Sequence, residues 1–129
     1  FIVGGQIKDQ PPELYLVYPQ GNYIRPADSK PYLVIGEVKY GKPILDRVIT
    51  PKVSIGDASR CALISMDSTL KSDLTVGPPI DFAVIKKDEI KIASLKCLNM
   101  NDSEFSKVCN QWSQGIFKIF DSFQRFDWE

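Results

Sequence analysis

An apolar, β-branched run that stops on a glycine and gives way within a few residues to a helix start sets the frame of this chain. Residues 31–48 read PYLVIGEVKYGKPILDRV. Tyr32, Leu33, Val34 and Ile35 predict a short buried strand, and Gly36 ends it. Gly41 opens a second element, and Pro43 stands in a first helical turn, where its missing N–H would have had no partner in any case. Ile44, Leu45 and Val48 then recur at helical spacing, which predicts a short helix over 42–49. A strand that feeds a glycine loop and then a helix can hold backbone polar groups beside a reaction centre. The same pattern also serves as a plain strand-to-helix connection, so the spacing alone leaves both readings open.

With 129 residues, 43% of them hydrophobic, the chain has the length of one ordinary domain and can bury a core. Its 16 basic and 16 acidic residues balance to a formal net charge of zero, and no window gathers the Lys/Arg cluster that phosphate binding needs. Nucleic acid is therefore not expected as a partner. No apolar run approaches the roughly 20 residues that span a bilayer, and no charged segment precedes an apolar one at the start, so neither a membrane helix nor a signal peptide is read. The first residues, FIVGG, are already strand-like, from which we expect further residues to precede Phe1. Cys61, Cys97 and Cys109 fall in no CxxC spacing and lie in apolar patterns, so they are expected as buried, reduced thiols rather than as a disulfide framework or zinc site. Histidine is absent, which removes Ser-His-Asp and Cys-His catalysis and His-ligated metals from these residues. Nothing in the sequence asks for a cofactor.

Taken in order, the chain predicts a strand at 1–3, a turn-rich loop at 8–12, and a strand over 13–18 whose two faces are both apolar and so both covered. Pro19-Gln20-Gly21-Asn22 is a turn leading into Tyr23 and Ile24, which together make a hairpin. Ser54 followed by Asp57 resembles a capping box for a helix over 55–71. Ala58, Ala62 and Ser65 form a smooth stripe on that helix, and Leu63, Met66 and Leu70 a bulkier one; one of the two is expected to meet another subunit. Residues 80–84 and 90–98 form a second hairpin. Asn101 with Glu104 signals a last helix, along which Phe105, Val108, Cys109, Trp112, Ile116, Ile119, Phe120 and Phe123 make a core-facing stripe. The order strand, strand, strand, helix, helix, strand, strand, helix argues for a layered α+β architecture.

The segments FIVGG, ELYLVYPQGNYI, YLVIGEVKYGKPILDRVI and MDSTLKSDLTVGPPIDFAVI resemble the bacterial proteasome-type peptidases known as Anbu, or β-proteobacterial proteasome homologues, within the N-terminal-nucleophile hydrolases. The likeness runs from Phe1 to about Leu98, and YGKPILDR and the SDL-x-VG-x-PID segment are its most specific parts. It implies the C-terminal half of a four-layer αββα sandwich, in which an N-terminal threonine freed by self-processing attacks a peptide carbonyl. The nucleophile, with the lysine and aspartate that tune it, would belong to the half that precedes Phe1. Carried over to this chain, Asp73 would be a supporting catalytic residue that orders the nucleophile's amine, and Gly36 and Glu37 would form a glycine loop near the active site. Proteasomes place a serine in that loop, whereas this chain reads Gly36-Glu37-Val38, a departure that bears on the proton network. The resemblance also implies peptide or protein substrates, a homo-oligomer and a cytoplasmic location.

The residues themselves allow more than one use. Asp73 directly follows the end of a helix, where the dipole disfavours negative charge, so its carboxylate needs a cation or hydrogen-bond donors. It can equally be a turn former, bonded to its own backbone, and Glu37 can be a solvated loop carboxylate. Two functions follow: a piece of a threonine peptidase, or a non-catalytic binding or scaffold subunit of the same fold.

Overall fold

The computed structural model describes residues 1–89 and 91–129. Residue 90, where the sequence reading begins its last strand, lies outside the described residues. Strands β1 (Ile2–Gly5), β2 (Glu13–Val17) and β3 (Tyr23–Ile24) form an antiparallel sheet in that order, with Ile2 opposite Leu16 and Leu16 opposite Ile24. Helices α1 (Lys42–Val48) and α2 (Ile55–Ser72) follow, then the antiparallel pair β4 (Ile80–Ile85) and β5 (Ile92–Leu98), then α3 (Ser103–Asp121). The α+β class agrees with the sequence reading, as does the order of elements apart from the strand expected at 32–35.

The turn between β2 and β3 closes through Tyr18 N–H to Asn22 O at 2.9 Å and Gly21 N–H to Tyr18 O at 3.0 Å. Gly21 supplies a φ of +86° there, which a residue with a Cβ adopts only at a cost. Ser54 caps α2 as expected: its Oγ accepts from Asp57 N–H at 3.0 Å and donates to the Asp57 carboxylate at 2.6 Å. The cap of α3 is Asp102 and not Asn101, because the Asp102 carboxylate reaches both Glu104 N–H and Phe105 N–H at 3.1 Å.

The core lies where β4, β5, α2 and α3 meet. Ile80, Leu98, Phe105 and Cys109 are buried there, with Leu63, Met66, Leu70 and Phe82 packed against them. Alternation along β4 puts Ile80, Phe82 and Val84 on the covered face and Asp81, Ala83 and Ile85 outside. Met66 is half-buried and packs against the core of its own chain, Ser65 turns toward α1, and of the smooth stripe Ala62 is the exposed member.

Four expectations need correction. Residues 32–35 form no strand: among the described residues their one backbone bond outside regular elements is Tyr32 N–H to Lys30 O, so the run has no ladder partner. Cys97 is exposed, because β5 shows solvent a face that no described residue covers, whereas Cys61 and Cys109 are buried as expected. The stripe on α3 faces the core only along its first half. Phe105 and Cys109 are buried and Trp112 is half-buried, but no described residue covers Ile116, Ile119, Phe120 and Phe123, which are exposed. Both faces of β2 are half-buried rather than covered.

These uncovered faces add up. The chain exposes 9933 Å² of surface, where a compact monomer of its 14.5 kDa exposes about 6,900 Å². Among the described residues no helix is long and apolar enough to cross a membrane.

Candidate functional site

Two segments converge at the C-terminal end of α2. The first is the loop that leaves residues 32–35, turns at Gly36 with φ +78°, and climbs into α1 through Gly41. Gly41 is buried against α2 so tightly that an added Cβ would lie 2.3 Å from Ser65 Oγ, 3.0 Å from Ser65 O and 3.1 Å from Thr69 Oγ1. Only a residue without a side chain lets α1 start this close to α2. The second segment begins at Asp73, which ends α2 by donating its N–H to Thr69 O at 2.8 Å. Thr69 thus touches the start of α1 on one side and anchors Asp73 on the other.

Asp73 accepts two hydrogen bonds on Oδ1, from Thr75 N–H at 2.8 Å and from the Thr75 hydroxyl at 2.7 Å. The Thr75 hydroxyl, the Thr75 amide and the positive charge of Lys39 together hold the Asp73 carboxyl below its ordinary range. It is ionised at neutral pH despite its place at a helix C-terminus. Among the described residues its Oδ2 has no hydrogen-bond partner, so one oxygen remains open to an incoming donor. Glu37 is turned back on its own loop, where its carboxylate accepts Lys39 N–H at 2.7 Å. The loop therefore brings the Lys39 charge toward Asp73, while Glu37 is spent on shaping the loop and Gly36 contributes the turn.

Sequence reasoning passed over Lys39, Thr75 and the Gly41, Ser65, Thr69 contact. The Asp-x-Thr spacing of Asp73 and Thr75 was a usable signal, since such pairs close local turns. Nothing in the sequence pairs Gly41 with Ser65, because that contact depends on how two helices cross.

Burial pushes the Cys61 thiol up, and burial followed by the neighbouring Asp67 carboxylate pushes Cys109 up to about 11. Neither is a ready thiolate. Asp67 is itself buried between α2 and α3, with Lys71 at 2.8 Å from its Oδ2 and Lys71 also donating to Ser113 of α3 at 3.2 Å.

No protein-family model and no curated protein matches the sequence. Solved structures do. Anbu from Hyphomicrobium sp. strain MC1 is 42% identical with a TM-score of 0.92, over 98% of this chain and 54% of that one. A helical assembly of the Anbu complex from Pseudomonas aeruginosa is 42% identical with a TM-score of 0.91, over 97% and 52%. Anbu, described as an ancestral beta-subunit, from Yersinia bercovieri is 39% identical with a TM-score of 0.94, over 98% and 54%. The chain thus spans about half the length of the solved chains it matches. With nearly its whole length superimposing on three such structures at this level of identity, the chain belongs to the Anbu family of proteasome-like proteins.

Proposed function

We propose that this chain is the supporting half of a proteasome-like threonine peptidase, in which Asp73 orders the amine of an N-terminal threonine supplied by residues that precede Phe1. The observation that carries the reading is the state of Asp73: ionised, half-committed to Thr75, and, among the described residues, with one oxygen unpartnered. A carboxylate so held can accept a proton-bearing amine without itself changing charge. The excess surface and the unpartnered run at 32–35 fit a chain that packs against further residues of the same fold. On this reading the chain alone lacks the nucleophile and is inactive, with a peptide or protein as the substrate of the whole.

The full-length gene product should hydrolyse a fluorogenic peptide, and replacing its N-terminal residue should abolish the activity. Asp73→Asn in that protein should keep the fold and lower the rate several-fold to a hundred-fold, on the order of 1–3 kcal/mol in the barrier. An Asp73→Asn variant that retains both rate and self-processing makes Asp73 a turn former only.

One observation favours a non-catalytic scaffold subunit instead, namely that the side-chain hydrogen bonds of Asp73 and Glu37 are all to their own loops. Hydrolysis that disappears with the N-terminal residue rules it out. We further propose a homo-oligomer, in which the exposed apolar end of α3 finds cover, in keeping with the helical assembly of the Pseudomonas aeruginosa relative. Light scattering on the full-length product decides this, and a monodisperse monomer at micromolar concentration sinks it.

A further inference from the structure

A second polar cluster sits at the base of the same loop. The loop is entered through Lys30 and Tyr32 and left through α1, and Asp46 of α1 holds both ends. Its Oδ1 accepts from the Tyr32 hydroxyl at 2.5 Å, its Oδ2 accepts from Lys42 Nζ at 2.6 Å, and its main-chain carbonyl accepts from Lys30 Nζ. Lys42 also stands 6.0 Å from the centre of the Tyr32 ring. One carboxylate with one main-chain oxygen thus closes the strand-to-helix crossover at its neck. Everything between the two ends, including Gly36, Glu37 and Lys39, is a single loop whose position depends on that neck and on Gly41.

We infer that Asp46 is a positioning residue: by tying Tyr32 to α1 it fixes the loop that carries Lys39 to Asp73, without touching the reacting groups. The inference rests on the peptidase reading for its kinetic consequence and on geometry alone for its structural one. Lys42 and Asp46 are also spaced i, i+4, which would support α1 by itself. The Tyr32 bond is different in kind, since it reaches from α1 to the segment before the loop and does nothing for the helix. An exposed i, i+4 ion pair contributes little, so the Tyr32 contact is the part that sets the loop.

The variant that isolates this contact is Tyr32→Phe, which removes one hydroxyl and keeps the ring. In the full-length protein it should lower kcat about three- to tenfold with KM unchanged, and speed hydrogen exchange at the amides of residues 38–41 while exchange in β4, β5 and α3 stays as it was. Asp46→Ala should do more, and Asp46→Glu should recover part of the loss. Wild-type kcat and wild-type loop exchange in Tyr32→Phe overturn the inference, as does a loss that follows a general acceleration of exchange across the molecule. If the wild-type protein hydrolyses no peptide, the peptidase reading fails on its own, and the exchange measurement still decides: local acceleration at 38–41 upholds the role of the neck and unchanged exchange there removes it.

Discussion

Phe105→Ala is expected to destabilise the protein by about 3–5 kcal/mol, the range for deleting a fully buried aromatic ring. Phe105 is 1% exposed and stands at the centre of the cluster formed by Ile80, Leu98 and Cys109, with side chains of α2 closing over it. Its backbone is fixed as well, because its N–H is one of the two donors that Asp102 captures at the start of α3. The void left by alanine would be bounded by two strands and two helices, none of which can move in without losing its own contacts. Urea unfolding of the full-length protein measures the loss as a lower midpoint at an unchanged slope. Phe117→Ala on the same helix serves as the contrast: at 69% exposed it should cost almost nothing within one subunit. A loss below about 1 kcal/mol for Phe105→Ala would mean that the core lies elsewhere.

Gly41→Ala is the second large effect, expected at about 1–3 kcal/mol destabilising. Ordinarily an alanine in place of glycine at a helix start with φ near −88° would gain up to about 1 kcal/mol through the unfolded chain. Here the contacts decide the sign. Ser65 Oγ, 2.3 Å from the added carbon, can rotate away, but the Ser65 carbonyl at 3.0 Å belongs to the α2 ladder and cannot. Helix α1 must then lift off α2, and the loop that carries Glu37 and Lys39 moves with it. Adding Ser65→Ala to Gly41→Ala tests the account, since it should recover the part due to Oγ and leave the part due to the carbonyl. Thermal unfolding that shows Gly41→Ala equal to or above wild type would refute the close crossing.

Much of this was legible in the residues because it rests on local rules. Ser54 and Asp57 marked the start of α2, and the Pro-Gln-Gly-Asn turn marked the first hairpin. What failed did so for want of neighbours. Tyr32, Leu33, Val34 and Ile35 have the composition of a strand, but a strand is a relation between two backbones, and no described residue supplies the second. The far half of the α3 stripe failed likewise: its periodicity correctly gives an apolar face, yet periodicity does not say how far along the helix that face is covered. The candidate site was legible at Asp73, as a carboxylate after a helix end that needed donors. Its actual donors, and the neck built on Asp46, depend on the path of a loop through space.

The fold also contains a contact whose weight lies in time. Gln6, just beyond β1, donates its side-chain amide to the Asp88 carboxylate at 2.7 Å and accepts Asp88 N–H at 2.7 Å, joining residues 82 positions apart. A link of that span can form only after the first sheet and the last hairpin already exist, because each doubling of the enclosed chain adds only about 0.6 kcal/mol of closure entropy but two bonds cannot repay the whole of it beforehand. Such a link belongs on the native side of the folding barrier. It does little to hasten folding and acts chiefly as a brake on unfolding, keeping the two sheets from parting one at a time.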